Sequence, residues 1–298
     1  MAKFVDKMRK DIYNINMETE METNIDIEKI EIDENQIGFD FLNEQIEKTL
    51  QKAENYDWVA DETLVVIFKS KGSVGANFEI CGKKMVDWVA MATSGCDQKI
   101  LDEPSEEEFL PTLQKIAGDY KFVAVFYSDT PLLKKNTFLD IMDYFSKRKM
   151  NVMKLSRGCV FRGEYLKNAK ILLSSAVEEF DKEDFTIVDD AKKLSFSFKV
   201  LNKRIINYHK QRGVVFFGEE TIFVDADVEI EEGTVIYPNN MLKGESFVGK
   251  NVILESGNYI FDTIICDEAF VCQSYLEKSK VENGKVVGPF ARLINEKI

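Results

Sequence analysis

Residues 224–260 read VDADVEIEEGTVIYPNNMLKGESFVGKNVILESGNYI, and in them Val224, Ile230, Ile236, Leu242, Val248, Leu254 and Ile260 stand six apart without a miss. A fixed period of six suits neither an α-helix nor a single strand. It suits a coil of short parallel strands in which one residue per face points inward, a hexapeptide-repeat β-helix. Val228, Thr234, Asn240, Ser246, Val252 and Asn258 also stand six apart and have the small or medium size that corners of a triangular coil need. Gly233, Gly244, Gly249 and Gly257 supply candidate tight turns. Beyond Ile260 the step loosens to five or six through Ile265, Val271, Leu276, Val281 and Val287. Residues 222–293 are thus expected to wind about four coils. A β-sandwich would alternate with period two and would not space its turns evenly.

Working outward, the 298-residue chain is long enough for two domains, and its hydrophobic content of 45% is that of an ordinary globular protein. No apolar run is long enough to cross a bilayer, and MAKFVDKMRK lacks the features of a signal peptide, so a cytoplasmic location is expected. The net charge of −13 argues against nucleic acid or an anionic membrane as the main partner. Five cysteines without a C-x-x-C pair and a single histidine argue against a disulfide framework or a zinc site. His209, in the polar stretch NYHKQR, reads as a surface helix residue.

Residues 1–58 hold 15 acids and 7 bases and read as an acidic N-terminal extension. Their apolar residues are patterned, with helical spacing at Val5, Met8, Ile12 and Ile15, so the segment is expected either to dock on another chain or to pack on its own domain. Residues 59–212 read as an α/β domain. TLVVIF (63–68), KFVAVFY (121–127) and NVMKL (151–155) are buried strands; helices between them carry Phe109, Leu110, Leu113 and Ile116, then Phe138, Ile141, Met142 and Phe145. That succession predicts a parallel sheet covered by helices, followed by the coil of residues 213–298. Asp129 directly follows a buried strand, where open sheets place ligands and where a carboxylate can hold Mg²⁺. An Asp before Thr-Pro is equally a turn former or helix cap.

The run Ser128-Asp129-Thr130-Pro131-Leu132-Leu133 resembles the G-D-x-P-L-[LI] motif of sugar-phosphate nucleotidyltransferases, and most closely that of the bacterial bifunctional N-acetylglucosamine-1-phosphate uridyltransferase/glucosamine-1-phosphate acetyltransferases. Leu201-Asn202-Lys203-Arg204 resembles the V-N-[DN]-R of that family. Ile236-Tyr237-Pro238-Asn239 and Leu242-Lys243-Gly244 resemble its early coils, and Gly288-Pro289-Phe290-Ala291-Arg292-Leu293 its G-P-F-A-R-L. The resemblance covers residues 62–293. It implies a Rossmann-like nucleotidyltransferase domain followed by a left-handed β-helix that forms trimers. It also implies that Asp129 and Asn202 jointly hold a Mg²⁺ bridging the phosphates of a nucleotide and a sugar 1-phosphate.

The chain departs from that pattern at its catalytic loops. Phe68-Lys69-Ser70-Lys71-Gly72-Ser73-Val74-Gly75 stands where the family has a glycine-rich loop with an arginine; Lys69, Lys71 and Gly72, with Lys83 of Cys81-Gly82-Lys83-Lys84-Met85, are the candidate phosphate contacts. An acidic run from Asp102 to Glu108 takes the place of the uridine-reading Q-x-G-T-G-H-A stretch. Arg157-Gly158-Cys159-Val160-Phe161, similar to N-T-G-I-Y-x-F, follows Asp129 much sooner than in the family. The chain stops after G-P-F-A-R-L, so acetyl transfer is not expected. The favoured expectation is a non-catalytic, trimeric scaffold or assembly protein of the cytoplasm or of a virion assembled there. The alternative is a divergent Mg²⁺-dependent sugar-1-phosphate nucleotidyltransferase resembling UDP-N-acetylglucosamine pyrophosphorylase.

Overall fold

The computed structural model describes residues 57–298 except 73, 74, 76 and 172–176. The expectations for residues 1–56, and Val74, lie outside the described residues. Along the chain, α1 (Asp57–Glu62) leads into β1 (Thr63–Lys69), the short hairpin β2 (Glu79–Ile80) and β3 (Lys83–Lys84), α2 (Met85–Ala92) and β4 (Asp97–Asp102). Next come α3 (Glu106–Ile116), β5 (Phe122–Tyr127), α4 (Lys135–Lys147), β6 (Val152–Leu155), β7 (Gly158–Arg162), α5 (Gly163–Asn168), β8 (Val177–Glu178) and α6 (Ala191–Gln211).

The sheet runs β4-β1-β5-β7-β6-β8. β1 lies between β4 and β5 and is parallel to both, as crossovers through α2 and α3 require. β7 is antiparallel to β5 and to β6, so the sheet is mixed where the element order predicted a parallel one. The reason is local: only residues 156 and 157 separate β6 from β7, room for a reversal but not for a crossover helix. Alternate residues feed two cores. Val65, Ile67, Ala124 and Phe126 meet α2 and the predicted face of α4, Phe138, Ile141, Met142 and Phe145. Leu64, Val66, Phe68, Val123 and Val125 meet Leu113 and Ala117 at α3 and Leu166 of α5. The acidic run around Glu106 opens α3, where Ser105 and Glu108 form a capping box and three glutamates favour the positive helix end.

From β9 (Val215–Phe216) onward, two- and three-residue strands form three parallel sheets of five, four and five members. Every residue of the aliphatic ladder points inward: Val224, Ile230, Ile236, Leu242, Val248, Leu254 and Ile260 are all 0–2% exposed. The register pairs Val224 with Leu242 and Leu242 with Ile260, then shortens, with Ile260 on Leu276 and Leu254 on Val271. This is the loosening seen in the sequence. The six proposed corner residues are buried. Among the turns, Gly233 adopts φ +75°, and a Cβ there would meet Asn251 Oδ1 at 2.3 Å.

One core joins coil to sheet. Leu201, Ile205 and Ile206 of α6, with Ile80, Met85 and Trp88 from the β2–α2 region, pack into the same cluster as the inward ladder. Among the described residues no helix is long and apolar enough to cross a membrane.

Candidate functional site

The sheet brings the ends of β1, β4 and β5 together on one edge, and β1 is flanked there by strands reached through separate crossovers. Open α/β sheets bind ligands at such an edge. The loops are tied to one another. Ser70 N donates to Ser128 Oγ at 2.9 Å and Ser128 N to the Phe68 carbonyl at 2.9 Å. Lys71 N donates to Glu103 Oε2 at 3.0 Å, and Val188 N to the Asp129 carbonyl at 2.8 Å.

Asp129, predicted from the sequence, is 4% exposed at this edge. Both of its carboxylate oxygens are engaged by Arg157: Nη2 donates to Oδ2 at 2.7 Å and Nε to Oδ1 at 3.1 Å. A side-on guanidinium fork of this kind is among the stronger pairings available to a carboxylate. Arg157 Nη2 also lies 3.5 Å from Ser70 Oγ and 3.6 Å from Glu103 Oε1, and the guanidinium carbon sits 3.7 Å from the Tyr127 ring centroid. Burial opposes the arginine's charge, but Asp129 and Glu103 outweigh it and raise the pKa. Burial likewise pushes the Tyr127 hydroxyl up to about 12, keeping the ring neutral beneath the cation.

Asn202 is taken up elsewhere. Its Nδ2 donates to the Ile222 carbonyl at 2.8 Å and its Oδ1 accepts from Val224 N at 2.9 Å, so both polar atoms bind the backbone of the first coil. Two residues on, Arg204 Nη1 donates to the Leu132 carbonyl at 2.7 Å, joining the two motifs that carry the resemblance. Lys83 likewise reaches the coil, with Nζ 2.6 Å from Asp227 Oδ1. Lys69 lies 3.8 Å from the exposed Asp102, Lys71 is exposed, and Gly72 N donates to Ser70 Oγ at 3.4 Å. The edge of β1 therefore gathers Lys69, Lys71, Gly72 and Asp129, while Asn202 and Lys83 serve the seam with the coil.

A Mg²⁺ shared by Asp129 and Asn202 does not fit the residues as placed, because the carboxylate and the amide each spend both polar atoms on other partners. Among the described residues no three His, Cys, Asp or Glu side chains group to hold a metal ion.

His209 corrects the sequence reading. It is 2% exposed, on the side of α6 turned to the coil, and its Nδ1 has no hydrogen-bond partner. Burial first and then the Arg212 charge lower its pKa from 6.5 to about 4, with the Val228 backbone acting the other way.

Sequence reasoning missed Glu103, Ser70 and the role of Arg157. Gly158 was the available signal for the last. At φ +126° its Cβ would stand 2.4 Å from the Val125 carbonyl, so only glycine lets β7 close on β5 and deliver Arg157 beside Asp129.

No family model matches this chain. The bifunctional protein GlmU of Streptococcus agalactiae serotype V is 35% identical over 106 residues, which is 36% of this chain and 23% of that protein. GlmU of Clostridium botulinum strain Eklund 17B is 33% identical over 128 residues (43% and 28%), and GlmU of Streptococcus thermophilus strain CNRZ 1066 is 37% identical over 113 (38% and 25%). The chain thus spans about a quarter of the length of the curated relatives it matches. Over those stretches it is similar to bifunctional GlmU proteins, and its described residues form a mixed α/β sheet followed by a parallel β-helix.

Proposed function

We propose that this nucleotidyltransferase-like chain is a scaffold whose α/β edge no longer transfers nucleotidyl groups, and that it assembles in the cytoplasm as a homotrimer through its β-helix. The observation that carries the reading is the reassignment of Asn202 and Lys83. The resemblance gives them to metal and phosphate, yet here they bind Ile222, Val224 and Asp227 of the coil. Catalysis of phosphoryl chemistry depends on positioned charge, and groups already bound to protein cannot also position a substrate. For the trimer, Phe223, Met241, Tyr259, Tyr275 and Arg292 stand in register on the outside of one coil face. Tyr259 and Tyr275 stack at 5.0 Å with an interplanar angle of 3°, a flat aromatic stack that another coil could cover. Residues 1–58 would then serve as an acidic arm for a larger assembly, a virus particle being one setting.

The second reading is a divergent Mg²⁺-dependent sugar-1-phosphate nucleotidyltransferase. The half-buried Lys69 and the exposed Lys71 at the strand edge favour it, since both could meet phosphate beside Gly72 and Asp129. Pyrophosphate release with UTP, CTP and ATP, Mg²⁺ and a panel of sugar 1-phosphates separates the two. The scaffold reading expects none, and turnover would establish the enzyme. Light scattering should give three times 34.3 kDa, and a monomer would remove the trimer. Deleting residues 1–58 tests the arm: unchanged partner capture would dismiss it.

A further inference from the structure

We infer that Glu103 and Asp129 form a paired-carboxylate cation seat whose permanent occupant is the Arg157 guanidinium, so that this chain takes up a divalent ion there only when Arg157 is removed. The inference rests on the reading of this edge as non-transferring and is independent of the trimer.

Three oxygens surround one nitrogen. Arg157 Nη2 has Asp129 Oδ2 at 2.7 Å, Ser70 Oγ at 3.5 Å and Glu103 Oε1 at 3.6 Å. These atoms come from the ends of three different strands, and the loops that carry them are tied by bonds of their own: Ser70 N to Ser128 Oγ, Lys71 N to the other Glu103 oxygen, Oε2, and Val188 N to the Asp129 backbone carbonyl. They are therefore held in place by more than their pull on the arginine. Two carboxylates and a hydroxyl converging on one point are the hard oxygen ligands that Mg²⁺ and Mn²⁺ prefer.

The guanidinium is held on its other sides as well. The Tyr127 ring covers one face at 3.7 Å, and Gly158 fixes the backbone that presents the side chain. Asp129 is nearly closed to solvent, its side chain 6% exposed, and burying it uncompensated would be costly, so the site needs a resident cation. An arginine supplies that charge without an ion, and its fork leaves neither Asp129 oxygen free. An anion-receiving role for Arg157 fits less well, because two carboxylates already neutralise it.

The test is manganese binding, followed by electron paramagnetic resonance and calorimetry, on the full chain and on Asp129→Asn, Arg157→Ala, Arg157→Gln and Arg157→Ala/Asp129→Asn. The wild-type chain should show no Mn²⁺ uptake that Asp129→Asn alters. Arg157→Ala should gain one site at least about tenfold tighter than any wild-type binding, and Asp129→Asn should abolish the gain. Arg157→Gln keeps the side-chain bulk in a neutral form and should bind more weakly than Arg157→Ala. Wild-type uptake lost in Asp129→Asn would overturn the inference, as would folded Arg157→Ala and Arg157→Gln that both bind no Mn²⁺. Pyrophosphate binding to the wild type that Arg157→Ala removes would overturn it too, by making Arg157 an anion receptor. Nucleotidyl turnover would defeat the scaffold reading itself, whereas absent turnover with no gained site would defeat only this inference.

Discussion

Asn258 stands one coil beyond Asn240 and donates its Nδ2 hydrogen to the Oδ1 of that residue at 2.9 Å. Its Oδ1 accepts from Ser274 N in the next coil, and its Nδ2 also reaches the Glu255 carbonyl at 2.6 Å. The side chain thus stitches three coils at one corner. Asn258→Ala would leave Ser274 N buried without a partner and take from the Glu255 carbonyl one of its two amide donors, the other being Asn240 Nδ2, at a cost of about 2 kcal/mol. Urea unfolding should show a lower midpoint with an unchanged slope. A midpoint within error of the wild type would mean that water or a shifted backbone replaces the amide.

Asn202 gives a test in which two roles predict opposite signs. As a metal ligand, Asn202→Asp would conserve the ligand oxygen and strengthen divalent-ion binding. As the pin between α6 and the first coil, it would lose the donor to the Ile222 carbonyl and set a carboxylate beside that oxygen. The structure predicts a loss of about 2–4 kcal/mol and no gain of metal affinity, read by denaturation with and without Mg²⁺.

The chain should lose stability in mild acid through His209. Its folded pKa is depressed to about 4 against 6.5, so between those values the unfolded chain binds a proton that the folded chain refuses. The contribution is therefore full above pH 6.5 and falls as pH drops toward 4, by up to about 3 kcal/mol. Arg212 faces the imidazole from its own helix, and Asp227, Glu229 and Glu231 line the same small cavity from the coil. His209→Gln should flatten this part of the pH dependence, measured as urea midpoints between pH 7.5 and 4.5. Parallel curves for the two proteins would assign the acid sensitivity to other groups.

Gly158→Ala should be among the most damaging single-methyl additions in the chain. The new Cβ would overlap the Val125 carbonyl at 2.4 Å, with φ at +126° adding strain. Separating β7 from β5 would also displace Arg157. Circular dichroism melting should fall well below that of Gly257→Ala, whose Cβ would meet nothing closer than 3.9 Å although its φ is also positive. Equal melting points would show that the two strands can part by a few tenths of an ångström without loss.

The coil was legible because its inward position repeats, so Val224 through Ile260 declare one face after another with no help from the rest of the chain. It blurs after Ile260 because later turns shed residues, Leu254 pairing with Val271 and Val271 with Val287. β4 was not legible. It is an edge strand of mostly exposed residues, DQKILD, with no apolar run to mark it. Asp129 was found by its place after a strand, but the partner 28 residues away depends on how β7 lies against β5, which no local pattern encodes. His209 was misread from its polar neighbours. Its spacing from Leu201 and Ile205 continues the buried stripe of α6 and was the better guide.

The core that runs from Trp88 and Met85 through α6 into the inward ladder has a thermodynamic consequence. A chain whose two architectures share side chains cannot melt one and keep the other: exposing the first coil would strip Leu201, Ile205 and Ile206 of their neighbours, and freeing α6 would open the coil's first turn. Calorimetry should therefore record one heat-absorption peak for residues 57–298 rather than one for each architecture. Fragments cut between α6 and β9 should not refold separately.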